Sequence, residues 1–205
     1  MGSVTSAFAV WASAVEPCIG ESVCGDRCLV EPDRDGMLIA AVDGVGHGHE
    51  AARAAVVALE SLQRAGEGSP ESLLTRCHEA LRGTRGAVVI VARYDARERT
   101  LAWTGVGDVL GALVRADPRA RPRIEVLMPR AGVAGHRLPQ TSAGLLAVGG
   151  GDTLVLATDG VRDDFIGSVD LTTDPGLLAE RILARHRKGR DDALVLVVRF
   201  NGAGT

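Results

Sequence analysis

The chain has 205 residues, 46% of them apolar, which is enough for one domain with a sizeable core. Aromatic residues make up only 3% and the net charge is −3, so the composition provides neither the stacking platforms nor the positive charge that nucleic-acid binding needs. Because no apolar stretch reaches the length of a membrane helix and no signal peptide is evident, we predict a single cytoplasmic domain over 1–205, with no membrane partner.

The first half of the chain is predicted to contain two strands and two helices. Residues 4–13 are largely apolar and favour a strand, and a turn-rich connection follows at 16–26. The continuous apolar run at 37–42 is typical of a buried strand. Apolar residues at helical spacing then predict helices at 49–65 and 71–81, which the short loop between them should place antiparallel.

The second half is dominated by strands. The predicted strands are 87–94, 100–104, 109–115, 124–128, 142–148, 153–158 and 193–200, with a third helix at 176–186. Turn residues rather than helices separate most of these strands, which indicates an antiparallel meander and not a series of βαβ units. The pattern therefore predicts an α+β fold with helices on the outer faces of antiparallel sheets.

One carboxylate stands at the exit of the predicted strand 37–42. Asp43 follows this strand directly, and the glycines at Gly44, Gly46 and Gly48 allow a tight turn into the next helix. A carboxylate at such a place is held by a rigid element and can be reached by solvent. These are the properties that a metal ligand needs.

Three other acidic sites have similar surroundings. Asp159 follows an apolar strand and precedes Gly160, Asp191 and Asp192 precede the last strand, and Asp26 precedes a short apolar pair. Each site alone is typical of a turn or a solvated strand end. Together they predict carboxylates gathered at one rim of a sandwich, where oxygen ligands suit Mg²⁺ or Mn²⁺ better than Zn²⁺.

The order of these motifs resembles a known family. The motifs are Gly25-Asp26, Val42-Asp43-Gly44-x-Gly46-x-Gly48, Gly105-x-Gly107-Asp108, Thr158-Asp159-Gly160 and Asp191-Asp192. This order is similar to that of the metal-dependent Ser/Thr protein phosphatases (PPM), and most similar to their SpoIIE-like branch. The motifs extend from residue 25 to residue 192, so the resemblance covers nearly the whole chain.

The resemblance implies a fold and a metal site. The implied fold is a four-layer α-β-β-α sandwich of two antiparallel sheets flanked by helices, and the implied cofactors are two Mn²⁺ or Mg²⁺ ions, with a third in some members. The implied roles are a carboxylate that bridges two ions (Asp43), a carbonyl ligand (Gly44), two ligands of the second ion (Asp159 and Asp191), a contact to a metal-bound water (Asp26) and the weaker third site (Asp108).

The implied activity is removal of phosphate from phosphoserine or phosphothreonine by a metal-activated water. The short chain is similar to stand-alone phosphatases of stress signalling, so phosphorylated stressosome scaffold proteins are the expected partners. Many eukaryotic members carry a His after the Asp-Gly pair, but this chain has Val45 there. His47 or His49 is therefore the candidate proton donor. The phosphate-binding Arg that many members place on the first strand is also absent from residues 10–13.

Two alternatives stay open at this point. The glycine-rich turn at 44–48 could belong to a nucleotide-binding enzyme, but a dinucleotide fingerprint needs Gly where the chain has His49. A phosphate-binding P-loop needs Lys followed by Ser or Thr after the turn, and neither is there. The other alternative is a binding module with the phosphatase fold and no catalysis.

Overall fold

Two antiparallel β-sheets pack face to face in the computed structural model, which describes residues 2–202. The strands, in chain order, are β1 (Val4–Thr5), β2 (Ala9–Glu16), β3 (Asp26–Pro32), β4 (Gly36–Gly44), β5 (Ala87–Asp95), β6 (Thr100–Val106), β7 (Leu110–Val114), β8 (Ile124–Leu127), β9 (Gly144–Ala147), β10 (Thr153–Ala157) and β11 (Ala193–Phe200). The helices are α1 (Gly48–Ala65), α2 (Pro70–Ala80) and α3 (Pro175–His186), with a 3₁₀ helix at Asp163–Ser168.

Sequence-distant strands lie side by side in both sheets. Over residues 2–202, one sheet has the strand order β1-β2-β11-β10-β7-β8 and the other has the order β3-β4-β5-β6-β9. All of the pairings between these strands are antiparallel. The strands therefore do not form the parallel βαβ unit that a nucleotide-binding turn at 44–48 would require.

Alternate residues of β4 belong to two different cores. Met37 and Ile39 pack between the two sheets, whereas Leu38 and Ala40 pack with apolar residues of α1 and α2. Successive side chains of a strand point to opposite faces, so a strand covered on both faces is apolar throughout. This explains the continuous apolar run in the sequence. On the other sheet, β11 alternates in the same way between the central core and the core beneath α3.

The predicted α-β-β-α sandwich is confirmed, with helices α1 and α2 on one outer face and α3 on the other. Two local predictions were wrong. Residues 4–13 are not one strand, because a turn closed by a 2.9 Å hydrogen bond from the Ser6 N–H to the Ala9 carbonyl separates β1 from β2. The strand β3 lies in a region where no strand was predicted. In residues 2–202, no helix combines the length and the apolar character needed to span a membrane.

Candidate metal centre

Three carboxylates meet at one rim of the sandwich. Asp43 is near the end of β4, Asp108 lies in the turn between β6 and β7, and Asp159 follows β10. One carboxylate oxygen of each residue lies within 4.8 Å of the others. The strands β4 and β6 belong to one sheet and β10 to the other, so the cluster forms only where the two sheets face each other.

A fourth carboxylate lies deeper, beside Asp43. Asp26 is opposite Asp43 in the β3–β4 register and is completely buried. Its Oδ2 accepts a 2.7 Å hydrogen bond from the Thr158 hydroxyl, which in turn accepts one of 2.9 Å from the Leu194 N–H. Thr158 precedes Asp159 in the chain, so this short network links the Asp26 carboxylate to the turn that carries Asp159.

The four carboxylates are electrostatically unfavourable when no cation is bound. Burial, followed by the charges of neighbouring carboxylates, raises the pKa of Asp43 to about 9 and that of Asp26 to about 7. Burial also raises the pKa of Asp159. Within the described part of the chain, one buried oxygen of Asp26 and one of Asp159 have no hydrogen-bond partner. A divalent cation would satisfy these oxygens and offset the repulsion, so the residues present fit such an ion.

The glycines of the two Asp-Gly pairs are required by close chain contacts. A Cβ on Gly44 would lie 2.1 Å from the Ala51 carbonyl oxygen on α1, and a Cβ on Gly160 would lie 1.9 Å from the Asp192 carbonyl oxygen. Gly46 and Gly48 have φ angles of +86° and +77°, which side chains disfavour. The glycines therefore let the chain turn away tightly after Asp43 and after Asp159, and leave both carboxylates at the rim.

The two adjacent aspartates before β11 have different environments. Asp191 is partly buried and is not a member of the three-carboxylate cluster, but its charge contributes to the raised pKa values of Asp26, Asp43 and Asp159. Asp192 is only 2% exposed, and its two oxygens each accept a 2.7 Å hydrogen bond, from the Cys18 and Gly25 N–H groups.

Asp192 therefore fixes the connection that leads into β3 and so positions Asp26. Sequence reasoning missed this role. Adjacent side chains along an extended chain point to opposite sides. This alternation was the available signal that Asp191 and Asp192 have different surroundings.

The candidate proton donor His47 lies on the surface at the start of α1. Its Nδ1 is 2.7 Å from Oε1 of Glu21, and the His47 side chain is 55% exposed. His47 is not a member of the carboxylate cluster.

An open cleft of about 650 Å³ adjoins the carboxylates. Four carboxylates line it, those of Asp108, Asp159, Asp163 and Asp164. Apolar and basic side chains line it as well, among them Leu110, Met128, Val161, Arg162 and Lys188. The site is thus reachable by a molecule larger than water, and its walls differ in polarity.

Comparison with known proteins agrees with this geometry. The sequence profile of the SpoIIE family (stage II sporulation protein E) matches residues 33–201. The phosphoserine phosphatase RsbX of Bacillus subtilis (strain 168) is 27% identical over 90 residues, which are 44% of this chain and 45% of RsbX. The chain therefore aligns with less than half of the length of that relative.

Solved structures show the same fold over almost the whole chain. A chain from a structural study of the bacterial stressosome, a modular system adapted to control secondary messenger signalling, superposes with a TM-score of 0.83 at 29% identity and covers 92% of this chain and 98% of that one. A crystal structure of RsbX in complex with magnesium superposes with a TM-score of 0.84 at 18% identity, covering 98% and 99%. This chain therefore belongs to the SpoIIE family, the branch of PPM phosphatases that the order of its acidic motifs predicted.

Proposed function

We propose that the protein is a Mn²⁺- or Mg²⁺-dependent phosphatase that removes phosphate from phosphoserine or phosphothreonine in regulatory proteins. The observation that carries this proposal is the meeting of Asp43, Asp108 and Asp159, two of which, Asp108 and Asp159, line an open cleft. Family membership and the likeness to RsbX, a phosphoserine phosphatase, support the same reaction.

Each carboxylate has a proposed role at the metal centre. Asp43, the Gly44 carbonyl, Asp159 and Asp191 would hold two ions, with Asp43 shared between them. Asp108 would serve a third, weaker ion, which agrees with its position beside Asp43 and Asp159 and with its exposure. When bound, such ions lower the pKa of a water molecule and neutralise negative charge on the phosphoryl oxygens.

Asp26 is proposed to orient the attacking water. The Thr158 hydroxyl occupies its Oδ2, and its Oδ1 has no protein partner among residues 2–202. This oxygen is therefore available to accept a hydrogen bond from a water in the metal centre. Burial raises the pKa of Asp26 to about 7 in the absence of metal, and bound cations would favour the ionised carboxylate that accepts this hydrogen bond.

The leaving serine or threonine oxygen needs a proton when the bond to phosphorus breaks. His47 stays the predicted donor of this proton. Its hydrogen bond to Glu21 fixes one ring nitrogen, Nδ1, and leaves Nε2 as the nitrogen that can deliver the proton.

The proposed partners are phosphorylated regulatory proteins, with stressosome scaffold proteins as the first candidates. Two findings support this choice. RsbX is among the relatives of this chain, and a structural relative comes from a study of the bacterial stressosome. The specific phosphoprotein is to be identified by testing such proteins as substrates.

The test is phosphate release from a phosphoserine peptide with added Mn²⁺, with EDTA as the metal-free control. Asp43→Asn is expected to lower kcat/KM by at least roughly 10²-fold, because it removes one of the charges that would hold the ions. Asp35→Asn is the matched control, since it makes the same chemical change in an exposed residue just before β4, at the end of the strand opposite Asp43.

Activity that survives EDTA, or full activity in the Asp43→Asn variant, would contradict the proposal. Tight Mn²⁺ binding without hydrolysis of any phosphoserine or phosphothreonine substrate would instead indicate the binding module without catalysis.

A further inference from the structure

Lys188 is attached to the turn that carries Asp159. Its backbone N–H donates a 2.8 Å hydrogen bond to the Gly160 carbonyl, and its Nζ donates one of 2.5 Å to the Asp159 carbonyl. The side chain therefore lies along this turn, next to the carboxylate cluster. Its positive charge opposes the effect of burial on the pKa of Asp159.

The Lys188 ammonium group can still donate hydrogen bonds to a ligand. An ammonium group has three N–H donors, and one of them is used by the Asp159 carbonyl. The residue is exposed and lines the cleft together with Asp108 and Asp159. Arg162 also lines the cleft, but its guanidinium already donates to the Arg185 carbonyl and lies 3.5 Å from the Asp164 carboxylate.

Apolar side chains line the same cleft. Among them are Leu110, Met128 and Val161, and Met128 is 71% exposed. A large apolar side chain this exposed, in a cleft that charged residues also line, is suited to contact an apolar group of a bound molecule. The cleft thus combines a cation that can bind an anionic group with apolar side chains, and the carboxylates of Asp163 and Asp164 line it too.

We propose that the cleft binds the phosphorylated segment of the substrate protein, with Lys188 donating hydrogen bonds to the phosphate and Met128 contacting an apolar side chain next to the phosphorylated residue. This proposal deepens the proposed function and rests on it. It places substrate recognition on the connection between α3 and β11 and on the end of β8, outside the carboxylate cluster.

The first experiment compares Lys188→Met with Lys188→Arg. Lys188→Met is expected to raise KM for a phosphoserine peptide roughly tenfold, and to weaken the binding of inorganic phosphate measured by calorimetry with Mn²⁺ to a similar extent. Lys188→Arg should keep KM and phosphate affinity close to the wild-type values, because it keeps the charge. Arg190→Met is the matched control, since it removes the same charge from the same connection and does not line the cleft.

Calorimetry with Mn²⁺ alone distinguishes two roles of Lys188, which are binding the phosphate and positioning Asp159. The proposal requires that phosphate affinity of Lys188→Met falls while its Mn²⁺ affinity does not fall. Unchanged phosphate affinity would overturn it, and so would an equal fall in both affinities, which would assign Lys188 to positioning Asp159. If the wild type hydrolyses no substrate, the proposed function fails, yet phosphate calorimetry still tests the role of Lys188.

The second experiment tests the apolar lining of the cleft with Met128→Ser. We expect KM for a phosphoserine peptide with an apolar neighbour to rise roughly fivefold, and KM for p-nitrophenyl phosphate to stay unchanged, because this ester has no neighbouring amino-acid side chain. An equal change for both substrates, or none for the peptide, would overturn the proposed contact with Met128.

Discussion

Replacing Asp43 by Asn is expected to stabilise the metal-free protein. Asp43 lies beside Asp108 and Asp159, opposite Asp26, and burial together with these charges raises its pKa from 3.8 to about 9. At neutral pH the unfolded chain carries this carboxyl group ionised. Folding without a metal therefore requires either a proton or a buried charge. Asparagine has nearly the same shape and avoids both.

Proton linkage gives the sign and the size of the stability difference between the Asp43→Asn variant and the wild type. A group whose pKa is raised on folding contributes its stability in full below the unfolded pKa, and this stability is lost as the pH rises through the folded pKa. For Asp43 the loss runs from about pH 4 to about pH 9. By pH 7 it reaches at most about 4 kcal/mol, at about 1.4 kcal/mol per pH unit. Because Asp43 is only partly buried, we expect the Asn variant to gain about 2 kcal/mol.

Urea unfolding in EDTA at about pH 5 and about pH 8 measures this gain, and the gain should be larger at the higher pH. Asp35→Asn is again the control. Added Mn²⁺ should make the wild type more stable than the Asn variant. At a hundredfold excess over Kd it stabilises the wild type by about 2.7 kcal/mol, and it should stabilise the variant much less. The reasoning is refuted if the Asn variant is less stable than the wild type in EDTA at the higher pH, or if its gain is the same at both pH values.

Two further substitutions test the support of the site. Thr158→Val removes the hydroxyl that bonds Asp26 and Leu194, so it should destabilise the protein by roughly 1–3 kcal/mol and raise the pKa of Asp26 further. The acidic limb of the pH–rate profile should then move to higher pH, and an unmoved limb would contradict the role of Asp26. Gly160→Ala should destabilise by about 3 kcal/mol, because its Cβ would overlap the chain at Asp192. Gly167→Ala, with open space at its Cβ, is the control for urea unfolding, and equal midpoints would argue against this contact.

The elements with a strong local pattern were predictable from the sequence. The apolar run at 37–42 and the helical spacing at 49–65 correspond to β4 and α1 within two residues at each end. Strand β3 was not predictable in this way. It contains charged residues and a proline and is only partly buried, and it forms because β4 offers a complete antiparallel partner.

The sequence by itself determined the chemistry of the site. It supplied the carboxylates, the glycines beside Asp43 and Asp159, and the motif order that identifies the family. Only the tertiary structure decided which groups meet, because the distance between residues on different strands is set by how the two sheets pack. It placed Asp108 with Asp43 and Asp159 and left Asp191 beside the cluster. It also made Asp192 a support for the chain and brought the Lys188 ammonium to the Asp159 turn.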